Sequence, residues 1–393
     1  MKKKIAFFID SLGGGGAERV VSVLCRELCA RGYQVDILML QKRPIAYPLP
    51  ATVTLHYAED MPVTGNWSRF LRKVLDGCMR LQVRFWNPLM RKLGRHDYLR
   101  VNETRMYFHA NYALPYWEYL KQNPGCTAFG FLIRSNISML MAAKGLPVRT
   151  VFCERNNPVR PDIHPNIIKL RDRFTRRCKA AVFQTEDERA YYTWLKCPTA
   201  VIPNPLKEDL PQPFEGQRRK EIVNFCRLNK QKNIPLLIDA FELLLAEYPD
   251  YTLRIYGRGE EKDNLIALVK DKGLEQTVIF EDFATDVHEK IRDAAMYVCS
   301  SDFEGLSNSM LEALAIGLPC VCTDCEGGGA RMMIRDHQNG LLVPVRDVQA
   351  LYAAMKEIIE DPALAQQLSQ EAAKVREQLS VEKIVDRWEA MIG

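Results

Sequence analysis

The stretch Lys4-Ile-Ala-Phe-Phe-Ile-Asp10, running into Ser11-Leu-Gly-Gly-Gly-Gly16, decides the fold class. Its apolar run of five residues stops at an aspartate. That is too short for the ~7–15-residue core of a signal peptide and suits a buried strand. The glycines supply a turn, and from about Ala17 the apolar residues Val20, Val21, Leu24 and Leu28 recur at helical spacing. Gly32 closes that helix, and Tyr33-Gln-Val-Asp-Ile-Leu-Met-Leu40 reads as a second strand. Strand, glycine turn, helix and strand together open a parallel α/β sheet.

The same alternation continues outward. Strand-like runs recur at 52–57, 127–133, 149–153, 180–184 and 200–202. Pro203, Pro205, Pro211 and Pro213, followed by Arg218-Arg-Lys-Glu221, read as a hinge. Beyond it the pattern restarts: strands at 222–226, 251–256, 277–281, 296–300 and 319–323, with helices at 234–247, 260–271, 286–294 and 308–316. A chain of 393 residues has room for two domains of ordinary size. Apolar residues at 47% and charged ones at 26% exclude a largely disordered chain. No apolar stretch approaches the ~18–20 residues of a spanning helix. The twelve cysteines have no framework spacing, which suits a reducing compartment.

Gly13 to Gly16 lie between a strand and a helix, where amides and the helix dipole favour an anion such as phosphate. Glu18 breaks the dinucleotide pattern G-x-G-x-x-G, and the Gly-Lys-Ser/Thr ending of a triphosphate loop is missing. A tight turn without ligand is the plainer alternative. The second half is more specific. Phe225-Cys-Arg-Leu-Asn-Lys-Gln-Lys-Asn233 sets Arg227 and Lys232 at a strand's carboxyl end, where two cations suit a diphosphate. Ile255-Tyr-Gly-Arg-Gly-Glu260 is a strand ending in a flexible turn. Ser301 to Glu312 joins a strand to a helix and spaces Glu304 and Glu312 eight positions apart, with Leu306-Ser-Asn-Ser309 at the helix start. Gly317-Leu-Pro-Cys-Val321 and Glu326-Gly-Gly-Gly329 follow as a buried strand and its turn. Each alone has a bland reading as solvated charge or helix face. Their order on successive element ends does not.

These stretches, with Gly15-Gly-Ala-Glu-Arg19, resemble the retaining glycosyltransferases of the GT-B fold, family 4 type, over essentially the whole chain. Glu304 to Glu312 matches that family's E-x7-E motif. The resemblance implies two Rossmann-like, doubly wound parallel-sheet domains facing a central cleft. An acceptor domain would span 1–203 and a nucleotide-sugar domain 204–379, with a last helix in 380–393 packing back on the first. It implies transfer of a hexosyl group from a nucleotide diphosphate-sugar, by family habit a UDP-sugar, to a hydroxyl of a lipid-linked or saccharide acceptor in bacterial surface-glycan assembly. Arg227 and Lys232 would bind the diphosphate, Glu304 would lie near the donor sugar, and Glu312 would hold the ribose hydroxyls. Amides of Gly15, Gly16, Ser307 and Asn308 would approach the phosphates, with Gly257 and Phe283 also on the donor side. The resemblance implies no cofactor and no metal, although Asp302-Phe-Glu304 mimics a metal-binding Asp-x-Asp.

The sequence departs from the common pattern after the strand Thr150-Val-Phe-Cys153. Many members carry a histidine there, whereas this chain has Glu154-Arg-Asn-Asn-Pro158, with Leu132-Ile-Arg-Ser-Asn136 upstream. This resembles a subset of the family and nominates Glu154 and Arg155 as catalytic residues. A purely structural Glu–Arg pair at a strand end is the alternative. Cys320, Cys322 and Cys325 lack a second ligand cluster for zinc. His109 and His164 are isolated and read as ordinary hydrogen-bonding residues.

Residues 66–100 hold nine Lys/Arg against two acids, so this +7 segment leaves −2 for the rest of a chain whose formal charge is +5. Trp67, Phe70, Leu71, Val74, Leu75, Cys78, Leu81, Phe85, Leu89 and Leu93 recur there at helical spacing, with Asn87-Pro88 as a break. A basic, aromatic, amphipathic helix suits an anionic membrane surface. The alternative is a helical insertion whose apolar stripe is domain core. Nucleic acid, the other partner of a basic face, is set aside because the second-half motif points elsewhere. The expected location is cytoplasmic, peripheral on the inner face of the cell membrane. Two rival functions remain open: a GT-B-fold sugar-nucleotide epimerase, which needs no acceptor, and a non-catalytic nucleotide-sugar-binding protein.

Overall fold

The computed structural model describes residues 3–61, 73–74, 112–159 and 163–393. The basic segment 66–100 therefore lies outside the described residues apart from 73–74, as does His109. The chain divides into two compact units. One comprises Met1–Phe183, Glu188–Ile202 and Val385–Gly393, and the other Gln184–Asp187 and Pro203–Ile384.

The first unit holds strands β1 (Lys4–Ile9), β2 (Gln34–Met39), β3 (Thr54–Tyr57), β4 (Thr127–Phe131), β5 (Arg149–Cys153), β6 (Ala180–Phe183) and β7 (Thr199–Val201). They form one sheet in the order β3-β2-β1-β4-β5-β6-β7, all neighbours parallel. β1 is buried from Ile5 to Ile9, as a strand covered on both faces must be. Ala6, Phe8, Ala128 and Phe152 pack with the helix Ile133–Ala142 in one core. The chain returns to this unit at its end. Trp388 is 1% exposed and stacks on Phe131 at 5.5 Å, while Thr127 Oγ1 donates to the Ile392 carbonyl at 2.9 Å.

The second unit holds β8 (Arg219–Phe225), β9 (Thr252–Tyr256), β10 (Val278–Glu281), β11 (Ala294–Cys299), β12 (Cys320–Thr323) and β13 (Leu341–Val343). Their order is β10-β9-β8-β11-β12-β13, again parallel throughout. The helix Ile234–Glu247 opens with Pro235 in its first turn and buries Leu237, Phe241 and Leu244 against the sheet. Each unit is thus a doubly wound parallel sheet, and each strand order reverses beside its first strand.

Two readings of this half need correction. Residues 286–294 do not form one helix: the helix is Val287–Ile291, and Ala294 already pairs with Arg219 as β11. Alanine's helix preference yields there to strand pairing. Nor does the hinge extend through Arg218 to Lys220, although Arg219 and Lys220 are exposed. Arg219 begins β8, and Arg218 donates to the carbonyls of Arg292, Ala294 and Gly317 at 3.0, 3.0 and 2.6 Å. Burial pushes the Arg218 guanidinium down to about 10, and those carbonyls satisfy its donors.

Candidate active site

In an open α/β sheet, ligands gather beyond the carboxyl ends of the strands where the order reverses. In the second unit that place lies between β8 and β11. β8 runs out into Cys226-Arg-Leu-Asn229 and a single 3₁₀ turn, Lys230–Lys232. Gly257, after β9, lets this segment approach: a Cβ there would overlap the Cys226 carbonyl oxygen. Asn233 ends the turn in the left-handed region at φ 44°, which asparagine tolerates better than most residues, and starts the next helix. The result leaves Arg227 exposed, with no side-chain partner among the described residues, and turns Lys232 inward.

The loop after β11 is stitched to that turn. Ser300 Oγ donates to the Lys232 carbonyl at 2.9 Å and Gln231 Nε2 to the Phe303 carbonyl at 2.7 Å. The Asp302 N–H donates to the Gln231 carbonyl at 2.9 Å. These bonds deliver Glu304 to Lys232, whose ammonium forms an ion pair with Glu304 Oε1. Each side chain is 15% exposed. Burial alone would push Lys232 down, but the charge and hydrogen bond of Glu304 outweigh it and hold the ammonium above its ordinary range. Ser301 Oγ adds a second donor to the same carboxylate oxygen at 3.2 Å. Asp302 is engaged separately, by Asn233 Nδ2 at 2.9 Å and by Arg346 at 2.9 Å. Gly327, at φ 99°, backs the loop closely enough that a Cβ would overlap the Glu304 carbonyl oxygen.

Ser307 then caps the helix Asn308–Ala315, its hydroxyl accepting from the Met310 N–H at 3.4 Å. The first-turn amides of this helix are the ones expected at a phosphate. The Asn308 side chain accepts from Asn204 Nδ2 at 2.8 Å. Within the helix Glu312 is buried, and His288 Nε2 lies 2.9 Å from its Oε2. Phe283, after β10, is 62% exposed, with the Arg258 guanidinium 6.0 Å from its ring. The structure thus joins Lys232 to Glu304, sets Arg227 in the segment that leads into the Lys232 turn, pairs Glu312 with His288, and places Phe283 with Arg258.

The remaining candidates lie in the first unit. Gly15 caps the helix Gly16–Ala30, and its N–H already donates to the Glu18 carboxylate, so that amide has an acceptor within the chain. Beside it, across the β1/β4 switch, Ser135 Oγ donates to Asp10 Oδ1 at 2.6 Å. Glu154 is 6% exposed and accepts from the Tyr192 hydroxyl, from Arg171 Nη1 at 3.4 Å and from the Arg155 N–H at 3.2 Å. Arg155 is equally buried, donates to the Ile202 carbonyl at 3.3 Å and lies 5.5 Å from the Trp388 ring. Burial pushes its guanidinium down to about 10. These contacts bury both side chains within the first unit. The Glu–Arg pair at this strand end exists, but the arginine is Arg171, 1% exposed and seventeen residues on.

Sequence reading missed His288 and Arg346, whose partners Glu312 and Asp302 lie 24 and 44 residues away. No spacing signal reaches that far. Among the described residues, no helix is long and apolar enough to cross a membrane.

Comparison with known proteins adds a family match over part of the chain and a fold. Residues 207–375 match the family described as glycosyl transferases group 1. A Campylobacter jejuni N-acetylgalactosamine-N,N'-diacetylbacillosaminyl-diphospho-undecaprenol 4-alpha-N-acetylgalactosaminyltransferase is 27% identical over 92% of this chain and 92% of its own. An uncharacterized glycosyltransferase of Haemophilus influenzae is 23% identical over 99% and 100%. Among solved structures, a mutant of S. aureus TarM with bound UDP matches at TM-score 0.73 and 14% identity over 100% of both chains. Anabaena HepE in complex with UDP matches at 0.73 and 16% over 98% of both. Both units are parallel α/β sheets of a GT-B-fold protein, and the family match and the names of the relatives support a glycosyltransferase.

Proposed function

We propose that the chain is a retaining glycosyltransferase that moves a hexosyl group from a UDP-sugar to a hydroxyl of a lipid-linked or saccharide acceptor in bacterial glycan assembly. The observation that carries this reading is the exposed Arg227 beside the Lys232–Glu304 pair at the β8/β11 switch. The leaving diphosphate gains charge as the glycosidic bond breaks, and two fixed cations stabilise it. Lys232 is held charged by Glu304, so it meets that charge without a proton transfer. Amides of Ser307 and Asn308 add the positive end of a helix. Glu312 takes the ribose hydroxyls, and Glu304 lies near the sugar. Retention follows from acceptor attack on the face the diphosphate leaves, with no covalent nucleophile. Relatives supply the substrate classes: the Campylobacter enzyme is named for an undecaprenol-linked acceptor, and HepE was solved with UDP.

The test is thermal unfolding with UDP, GDP, CDP and ADP and with their hexose conjugates. A ligand at a hundredfold excess over its Kd adds ~2.7 kcal/mol to the folded state. UDP and one UDP-hexose should raise the midpoint, and Arg227→Ala should cut the rise by about half or more. A midpoint unmoved by every nucleotide would overturn the assignment. Sugar interconversion without acceptor would favour an epimerase, and binding without any turnover a non-catalytic protein.

A further inference from the structure

The buried carboxylate of Glu312 is held by a side chain that no motif predicts. His288 comes from the short helix Val287–Ile291 between β10 and β11, and its Nε2 lies 2.9 Å from Glu312 Oε2. Each side chain is 8% exposed. We propose that His288 is a positioning residue: it orients the Glu312 carboxylate for the sugar hydroxyls of the nucleotide and thereby sets the preference for ribonucleotides over deoxyribonucleotides. The inference rests on Glu312 being the ribose acceptor.

The geometry supports it in three steps. A carboxylate removed from water must be given donors, and an ionised carboxylate can only accept, so the imidazole tautomer that can hold Glu312 is the one with its proton on Nε2. The ring cannot swing to follow a misplaced carboxylate. Phe225 meets it edge-on at 5.5 Å and 86°, and Phe225 packs against Tyr297 at 5.2 Å. Tyr297 in turn donates its hydroxyl to Ser309 Oγ at 3.0 Å, on the same helix as Glu312. Imidazole and carboxylate are therefore fixed to one frame built from β8, β11 and the helix Asn308–Ala315. A hydroxyl acceptor pointed by such a frame discriminates by presence of the hydroxyl, because losing one partner leaves a buried charge short of a donor. A merely structural link would lower binding of every nucleotide alike.

The experiment measures Kd by calorimetry for whichever of UDP, GDP, CDP and ADP binds tightest, and for its 2′-deoxy and 3′-deoxy counterparts. Wild type should prefer the ribonucleotide over at least one deoxy form by ~10–100-fold, the range for a hydrogen bond to a charged group. His288→Ala should bring that ratio close to one by weakening only the ribonucleotide. His288→Gln, whose amide nitrogen reaches the position of Nε2, should restore most of it, and His288→Asn, which is shorter, should not. The Gln/Asn contrast decides the matter should the alanine variant fail to fold. Equal ratios in wild type, Ala and Asn variants, with Glu312→Ala losing the preference, would overturn the role of His288 alone. No preference in wild type, a preference surviving Glu312→Ala, or no binding of any of the four would overturn the Glu312 assignment and this proposal with it.

Discussion

The two sheets reverse their strand order at equivalent places, β1/β4 and β8/β11, and both set charged residues just beyond. They differ in where those charges end. In the first unit they close on the unit itself: Asp10 on Ser135, Glu154 on Tyr192 and Arg171, Arg155 on the Ile202 carbonyl and the Trp388 ring. Burial raises the Asp10 carboxyl above its ordinary range, and the Ser135 bond only partly offsets it. In the second unit Arg227 stands exposed with no side-chain partner among the described residues, next to a Lys232–Glu304 pair that still reaches solvent. Equal topology therefore does not confer equal chemistry. A strand end whose charged groups close on their own unit offers less to an anion than one with cationic capacity left over.

The largest expected effect tests the closed end. Glu154→Ala strips the buried Tyr192 hydroxyl and Arg171 Nη1 of an acceptor, while Asp172 keeps Arg171 paired at 2.8 Å; each buried donor left without a partner costs ~1–3 kcal/mol. The urea midpoint should fall accordingly, while donor Kd and turnover per folded molecule stay unchanged. A stable variant with lost turnover would break the comparison and return Glu154 to the catalytic residues. Lys232→Ala probes the open end. Removing a preorganised charge from an anionic transition state lowers turnover ~10²–10³-fold, with a smaller loss of stability. The sign of its linkage is fixed by the raised lysine pKa. The stability that the Lys232–Glu304 pair contributes is present below the unfolded value of ~10.4 and is lost only as pH rises through the higher folded value. Donor binding should accordingly show no lysine titration between pH 6 and 9.

Much of this frame was legible in the sequence. The helix predicted over 234–247 is the observed Ile234–Glu247, because its apolar residues recur at helical spacing behind a proline that fits only a first turn. Lys232, Glu304 and Glu312 stood out for the same local reason: strand ends and a helix start set their spacing. What stayed hidden is carried by distant partners. Arg218 reads as part of the hinge until its acceptors appear at Arg292, Ala294 and Gly317, 74 to 99 residues away. His288 draws no reading at all, because its partner Glu312 lies 24 residues on. Arg171 and Tyr192, the partners of Glu154, lie 17 and 38 residues away, so no local spacing announces them.

Arg227→Ala sharpens the comparison at an intermediate magnitude. An exposed arginine with no internal partner contributes nothing to the fold that its loss would undo. Stability should stay within measurement error, and donor KM should rise ~10–100-fold, the worth of a hydrogen bond between charged groups. Gly257→Ala should reproduce part of this by another route, since its Cβ would displace the Cys226 backbone that carries Arg227. A fall in stability for Arg227→Ala comparable to that of Glu154→Ala would mean that both ends are packing.

The smallest expected effect separates a specific cation from a general field. Arg346 also lies at the open end of the second sheet and is more exposed than Lys232, at 73%, but its guanidinium already lies against Asp302 at 2.9 Å. Asn233 Nδ2 holds Asp302 from the other side at 2.9 Å, so deleting Arg346 leaves that carboxylate with a donor and with water. Exposed ion pairs of this kind are worth little to the fold, and at 73% exposure water screens the already paired Arg346, whereas the paired Lys232 is 15% exposed and screened far less. Arg346→Ala should change donor KM by less than about twofold at 0.15 M salt, where screening confines such fields to ~8 Å. Should it weaken donor binding as much as Arg227→Ala does, the open end attracts diphosphate by its summed charge. The distinction between Arg346 and the two cations assigned to the diphosphate would then lose its force.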